Sequence, residues 1–170
     1  MTRPTVFIGG DSHAEGLAMV LPHAGEDFAR GRPTSGQPRL PGAEYDVVVV
    51  SLGTNDYDRR GLEAEVRELA QSRQGLPLVW LLPLHATRPD VAGRRVAVVE
   101  HIRAGLEGVP GVRIVDPPVV SVPDGVHATR TGYVIIGREL ERAYGEEGGA
   151  MVVPLIVGAL AVYAAWRWFR

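Results

Sequence analysis

Three short motifs contain side chains that could catalyse acyl transfer, and the first of them contains Ser12. It lies in GGDSH (residues 9–13), after an apolar run and before a segment with helical spacing. A serine there lies at the carboxyl edge of an α/β sheet, where backbone N–H groups of the helix N-terminus can bind an oxyanion. A serine before a helix is more often only an N-cap, so this motif indicates chemistry only if it has partners elsewhere.

Two later motifs supply candidate partners. Asn55 lies in GTND (residues 53–56), directly after an apolar run, where its amide could donate a hydrogen bond across the sheet edge. The alternative for this motif is an Asn-Asp turn. Asp124 precedes His127 by three residues, a spacing at which the carboxylate can accept the Nδ1 proton and leave Nε2 for the serine. A surface turn or a pair of metal ligands are the alternatives for Asp124 and His127.

The segments around these motifs predict an α/β domain. Residues 46–52 (DVVVVSL) form a β-branched run of the kind that is buried on both faces of a parallel sheet. Apolar spacing predicts further strands at residues 5–8, 76–82 and 112–115, and helices at residues 14–21, 61–73, 91–106 and 131–144. The predicted inward positions of the second and third helices are Leu62, Val66, Leu69, Ala70, Val91, Val98, Ile102 and Leu106. Alternation of strands and helices is typical of a mainly parallel sheet. The Gly- and Pro-rich residues 31–42 are interpreted as a functional loop.

Composition argues against several classes of protein. Among 170 residues, eighteen are basic, all of them Arg, and twenty are acidic. Residues 1–147 hold sixteen Arg against all twenty acids, a net charge of −4, which argues against a nucleic-acid-binding domain. Without cysteine the chain has no disulfide, no thiol nucleophile and no Cys-ligated metal site. We therefore predict no cofactor, no metal and no nucleic-acid partner.

The C-terminal part of the chain has the composition of a membrane anchor. Residues 148–166 contain no charged side chain, and as a helix they would be about 28 Å long, close to the thickness of the bilayer core. Trp166, Trp168 and Phe169 lie beside Arg167 and Arg170, a mixture typical of a membrane interface. A terminal helix packed on the domain or on a partner subunit is the alternative.

These patterns predict three parts: a domain at residues 1–145, a hinge at 146–149 and a transmembrane helix at 150–170. The protein would then be membrane-associated through a single C-terminal span, without an N-terminal signal peptide. The Arg residues after the span favour a cytoplasmic C-terminus, whereas a tail anchor with a cytoplasmic domain fits the missing signal equally well. Small residues such as Gly158 and Ala161 would permit self-association through the tail.

Taken in order, the three motifs resemble those of the SGNH (GDSL-type) hydrolase superfamily over about residues 4–145. The segment DGVHATRTGYVIIGREL (residues 124–140) is similar to the last motif of that family and the helix after it. The resemblance implies a flavodoxin-like three-layer α/β/α sandwich with a mainly parallel sheet. It also implies that Ser12 attacks an acyl carbonyl, that His127 acts as general base and then general acid, and that Asp124 orients His127.

The resemblance further implies an oxyanion hole formed by the backbone N–H of Ser12, the backbone N–H of Gly36 and the amide of Asn55. Gly36 is the best match to the glycine motif of the family within residues 30–37, and Gly31 is the second.

Four other polar residues near the motifs receive different roles. Asp11 and Asp56 match motif positions that connect loops, which implies a structural role. His13 and His85 are candidate substrate contacts, and a solvent-facing position in the first helical turn is the alternative for His13.

Small acyl groups are the expected substrates, because the predicted domain is short and has no insertion that could form a lid. Acetyl esters of a carbohydrate or cell-wall polymer fit best. The GDSH sequence also resembles the SGNH domains of polysaccharide and peptidoglycan O-acetylation systems, which makes O-acetyl transfer an alternative. The tail suggests lysophospholipids or acyl thioesters at a membrane surface. A metal-dependent hydrolase and a catalytically retired, membrane-anchored structural or virion protein are alternatives from other classes.

Overall fold

A computed structural model of the chain describes residues 4–58, 60–73 and 75–145. Five strands and four α-helices follow one another in this part of the chain. In order they are β1 (Val6–Gly10), α1 (Ser12–Ala18), β2 (Gly25–Phe28), a 3-10 turn (Thr34–Gly36), β3 (Val47–Ser51), α2 (Leu62–Gln71), β4 (Leu78–Leu81), α3 (Pro89–Leu106), β5 (Val112–Val115) and α4 (Arg130–Gly145).

The strands form one sheet in the order β2-β1-β3-β4-β5, and each neighbouring pair is parallel. This is the strand order of flavodoxin-like folds, in which ligands bind beyond the carboxyl ends of the strands where the order reverses. Gly10 lies opposite Ser51 in the register, so β1 and β3 end at the same level. The loops that follow these two strands therefore leave the sheet at the same place.

The core lies on both faces of the sheet, because successive side chains of a buried strand point to opposite sides. Ile8 and Val49 pack into a cluster with side chains of α1 and α4. Their neighbours Phe7 and Val48 pack on the other face into a second cluster, with side chains of α2 and α3. The arrangement is thus a three-layer α/β/α sandwich, and all eight predicted inward positions of α2 and α3 are buried.

Strand β2 is the element that the sequence did not predict. Its residues, GEDF, include two acids and show no apolar alternation. It lies at the edge of the sheet, where it pairs with β1 alone among the described strands, and most of its residues are half-buried. An edge strand has one side in contact with water, so it does not need the apolar pattern that reveals a central strand.

The predicted membrane anchor at residues 150–170 and the predicted hinge at 146–149 lie outside the described residues. Among the residues that are described, no helix is both long enough and apolar enough to cross a bilayer.

Candidate active site

The end of β1 determines where Ser12 lies. Gly10 has a φ of 143°, and a side chain there would overlap the carbonyl oxygen of Ser51 on β3. The chain then turns so that the Asp11 N–H donates to that same oxygen at 3.1 Å, and the Asp11 carboxylate caps α1 by accepting from the His13 N–H at 2.8 Å. Ser12 is therefore the first residue of the helix, at the carboxyl edge of the sheet.

A chain of hydrogen bonds connects the three residues predicted to form the catalytic triad. The Ser12 Oγ lies 2.9 Å from Nε2 of His127, a residue 115 positions further along the chain. The other ring nitrogen, Nδ1, lies 2.6 Å from Oδ2 of Asp124. An ionised carboxylate only accepts hydrogen bonds, so Nδ1 carries the imidazole proton and Nε2 accepts from the serine hydroxyl. This is the arrangement in which a histidine can remove the proton of a serine nucleophile.

The loop between β5 and α4 holds the carboxylate in its ionised form. The imidazole of His127 donates to one oxygen of Asp124, and the backbone N–H groups of Val126 and His127 donate to the other at 2.9 and 2.7 Å. These hydrogen bonds, the ring contact first, hold the pKa of Asp124 well below its usual range. The loop is fixed in turn because the Gly125 carbonyl accepts from two backbone N–H groups, those of Thr87 and Arg88.

Asn55 is hydrogen-bonded to Asp11, the residue directly before the serine. Its side-chain amide donates to Oδ2 of Asp11 at 3.2 Å and more weakly to the Arg32 carbonyl at 3.4 Å. Asp11 is fully buried, and this burial raises its pKa to about 7, against the opposing effect of the His13 N–H. The Asn55 amide and the Asp11 carboxyl group are therefore hydrogen-bonded to each other beside the nucleophile, and Asn55 is the neutral donor of this pair.

Solved structures with this architecture exist, although the sequence has no match among protein-family models or curated proteins. A member of the lipolytic protein G-D-S-L family from Veillonella parvula is 13% identical, with a TM-score of 0.58 over 83% of this chain and 98% of that one. A lipase/acylhydrolase from Enterococcus faecalis is 18% identical, with a TM-score of 0.58 over 82% and 94%. An acetyl xylan esterase from Butyrivibrio proteoclasticus is 12% identical, with a TM-score of 0.54 over 88% and 65%. The chain has the fold of GDSL-type hydrolases.

Within this GDSL-type fold, Gly36 is the last residue of the 3-10 turn. Its backbone N–H donates to the Pro33 carbonyl at 3.0 Å inside the 3-10 turn, so it is already used. Its neighbours Ser35 and Gln37 line a separate cavity of about 550 Å³ against α2, which none of the predicted catalytic residues lines. Gly31, the second match to the glycine motif, directly follows Arg30, which lines the same cleft as Ser12.

Neither of the two candidate substrate contacts lines the cleft at Ser12. His13 is only 1% exposed, so neither the solvent-facing alternative nor a direct substrate contact fits its position. The reason is that the first turn of α1 is covered by α4, whose Tyr133 hydroxyl lies 3.0 Å from Nδ1 of His13. His85 lies in a polar group on the surface, 3.3 Å from Arg95 and 3.8 Å from Asp116, and it does not line the cleft at Ser12.

The cleft at Ser12 has a volume of about 400 Å³ and includes residues that the sequence analysis missed. Glu15 and Arg30 form a two-point ion pair at its edge, with distances of 2.7 and 2.9 Å. Tyr133 forms part of its wall. A signal for Tyr133 was present in the sequence, since it shares helical spacing with Ile136 and Leu140 and must therefore face the core. No comparable signal pairs Glu15 with Arg30, because they belong to different elements.

Proposed function

We propose that this chain is a serine ester hydrolase that acts through an acyl-enzyme. The observation that carries the proposal is the chain of hydrogen bonds from Ser12 through His127 to Asp124. The Ser12 Oγ attacks the ester carbonyl while Nε2 of His127 takes its proton, and the protonated ring then gives that proton to the departing alcohol oxygen. Water, activated by the same nitrogen, attacks the acyl-serine, which releases the acid and restores the hydroxyl.

The negative charge that develops on the carbonyl oxygen needs hydrogen-bond donors fixed in advance. The backbone N–H of Ser12 opens α1 and has no partner one turn earlier in the helix. The amide of Asn55 donates to Asp11 and to the Arg32 carbonyl, and it would release the longer of these two contacts to reach the oxyanion. We assign the third donor to the backbone of Gly31, in place of Gly36, because the Arg32 carbonyl next to it already contacts the Asn55 amide.

Short acyl esters of a carbohydrate or cell-wall polymer are the proposed substrates. The buried ring of Tyr133 limits the depth of the cleft beside Ser12, which favours an acetyl group over a long chain. The ion pair of Glu15 and Arg30 gives the edge of the cleft a polar character, which suits an alcohol part with many hydroxyl groups. One of the similar structures is named an acetyl xylan esterase, which agrees with this choice.

An ester series tests the substrate class. With p-nitrophenyl acetate, butyrate and octanoate, we expect kcat/KM to be highest for acetate and to fall at least about tenfold by the eight-carbon chain, because added methylenes meet the Tyr133 ring. Activity should be the same with and without EDTA. A rate that increases with chain length would instead indicate a lipid or acyl-thioester substrate. Acetyl transfer to an added oligosaccharide in preference to water would indicate an O-acetyltransferase.

We also propose that residues 150–170 attach the protein to a membrane, on the basis of their apolar sequence. A variant that ends at Gly145, the last residue of α4, should remain in the supernatant with full activity on p-nitrophenyl acetate. The full chain should sediment with membranes and resist a carbonate wash, because hydrophobic attachment does not depend on charge. A full chain that stays in the supernatant, together with a shortened variant that aggregates, would show that the tail completes the core or a subunit interface.

A further inference from the structure

Tyr133 lies between the helix that begins with the serine and the helix that follows the histidine. It belongs to the first turn of α4. Its backbone N–H donates at 2.9 Å to the carbonyl of Thr129, and Thr129 is the second residue after His127. Its ring packs against Gly16 on α1 so closely that any side chain at position 16 would overlap it. Tyr133 is only 5% exposed, so its hydroxyl needs a partner inside the protein.

That partner is His13, the residue directly after the nucleophile. The Tyr133 hydroxyl lies 3.0 Å from Nδ1 of His13, inside the protein. Tyr133 therefore contacts the residue that follows Ser12 through its hydroxyl, and the segment that follows His127 through its backbone N–H.

The imidazole of His13 is neutral in this position. Burial lowers its pKa to about 4, and the nearby ring of His127, with centroids 5.3 Å apart, acts in the same direction. A neutral ring carries one proton, and the tautomer decides whether Nδ1 accepts from the Tyr133 hydroxyl or donates to it. Within the described part of the chain, Nε2 of His13 has no hydrogen-bond partner. The phenol of Tyr133 is therefore the one hydrogen-bond partner of the His13 ring there.

We propose that Tyr133 is a positioning residue, whose hydroxyl acts through His13 to hold Ser12 within hydrogen-bond distance of His127. This inference rests on the proposed serine hydrolase function, and it adds a role for the hydroxyl of Tyr133 to the role that the proposal gives to its ring. The phenol does not touch the reacting atoms. It fixes the position of α1 relative to the loop that contains His127. The 2.9 Å contact between Ser12 Oγ and His127 Nε2 depends on that relative position.

Tyr133→Phe removes the hydroxyl and keeps the ring, so the packing against Gly16 is preserved. We expect kcat for p-nitrophenyl acetate, and the rate of labelling by a fluorophosphonate probe, to fall about 10- to 100-fold with KM nearly unchanged, because a buried ring nitrogen has lost its hydrogen-bond partner. The number of serines labelled per protein molecule should stay at the wild-type value. Tyr144→Phe is the matched control, since it makes the same change on the same helix about 16 Å away, and it should leave the rate unchanged.

A second variant tests whether the effect passes through His13. His13→Leu should slow labelling to a similar extent, and the double variant of His13→Leu with Tyr133→Phe should be no slower than the slower single variant. If the two effects instead multiply, the hydroxyl does not act through His13 and the proposal is wrong.

The labelling experiment separates the possible failures. If Tyr133→Phe lowers the fraction of molecules that can be labelled while each active molecule reacts at the wild-type rate, then Tyr133 only stabilises the fold, and the inference is overturned. A wild-type rate in that variant overturns it as well, and leaves the esterase proposal intact. A wild-type protein that is never labelled would overturn the esterase proposal and this inference together.

Discussion

Ser12→Ala is expected to abolish both fluorophosphonate labelling and ester hydrolysis, while the protein remains folded. The reason is that Ser12 is the hydroxyl held 2.9 Å from Nε2 of His127, and alanine offers neither a nucleophile nor a proton. Labelling followed by mass spectrometry of the modified peptide would locate the reacting residue, and circular dichroism would verify the fold.

Ser35→Ala is the matched control for this experiment. Ser35 is an exposed serine in the 3-10 turn and lines the cavity against α2, away from the catalytic residues. We expect it to retain wild-type labelling and activity. Full labelling of Ser12→Ala would assign the nucleophile to another residue and refute the proposed mechanism.

His127→Ala is expected to lower kcat by about 10⁴-fold, because a serine hydroxyl without a base is a poor nucleophile at neutral pH. Asp124→Asn should lose less, if the carboxylate mainly orients the ring. In the wild type, kcat/KM should fall on acidification, since a protonated imidazole has no lone pair for the serine proton. Protonation of Asp124 does not cause that fall, because its pKa lies well below the usual range, whereas Asp11, whose pKa burial raises to about 7, also takes up a proton on acidification.

His85→Ala provides the comparison for His127→Ala. His85 lies beside Arg95 and Asp116 and does not line the cleft, so the change should leave kcat within about threefold of the wild type. A pH profile measured on both variants and on the wild type would separate loss of the base from a general electrostatic effect. Equal losses at the two positions would argue against His127 as the base.

The central part of the fold could be predicted because its signals are local. The VVVVS run of β3 must be buried on both faces, and the spacing of Val66 and Leu69 identifies the inner face of α2. Strand β2 could not be predicted in this way, because an edge strand with the sequence GEDF lacks any such pattern. The order of the strands then followed from the resemblance to a known family, and not from the strand patterns themselves.

The candidate site was predictable at the level of motifs and less so at the level of contacts. Spacing places Asp124 near His127, but nothing local places Ser12 beside them, and only the set of motifs indicated it. The choice between Gly36 and Gly31 stays a prediction, and spacing could not show that a 3-10 turn occupies the N–H of Gly36, because that turn depends on backbone geometry. Similarly, the burial of His13 depends on how closely α4 approaches α1, which no sequence spacing reveals.

The contact between residues 12 and 127 has a consequence for how the protein is made. A growing chain that has reached residue 115 already contains all five described strands, together with Ser12 and Asn55. It still lacks the base, and it lacks α4, which covers one face of the sheet and contacts α1. Domains generally fold as units, so the nucleophile would be exposed yet unactivated throughout most of translation. Ester cleavage by this protein therefore reports that synthesis of the domain has been completed and that its last helix has docked.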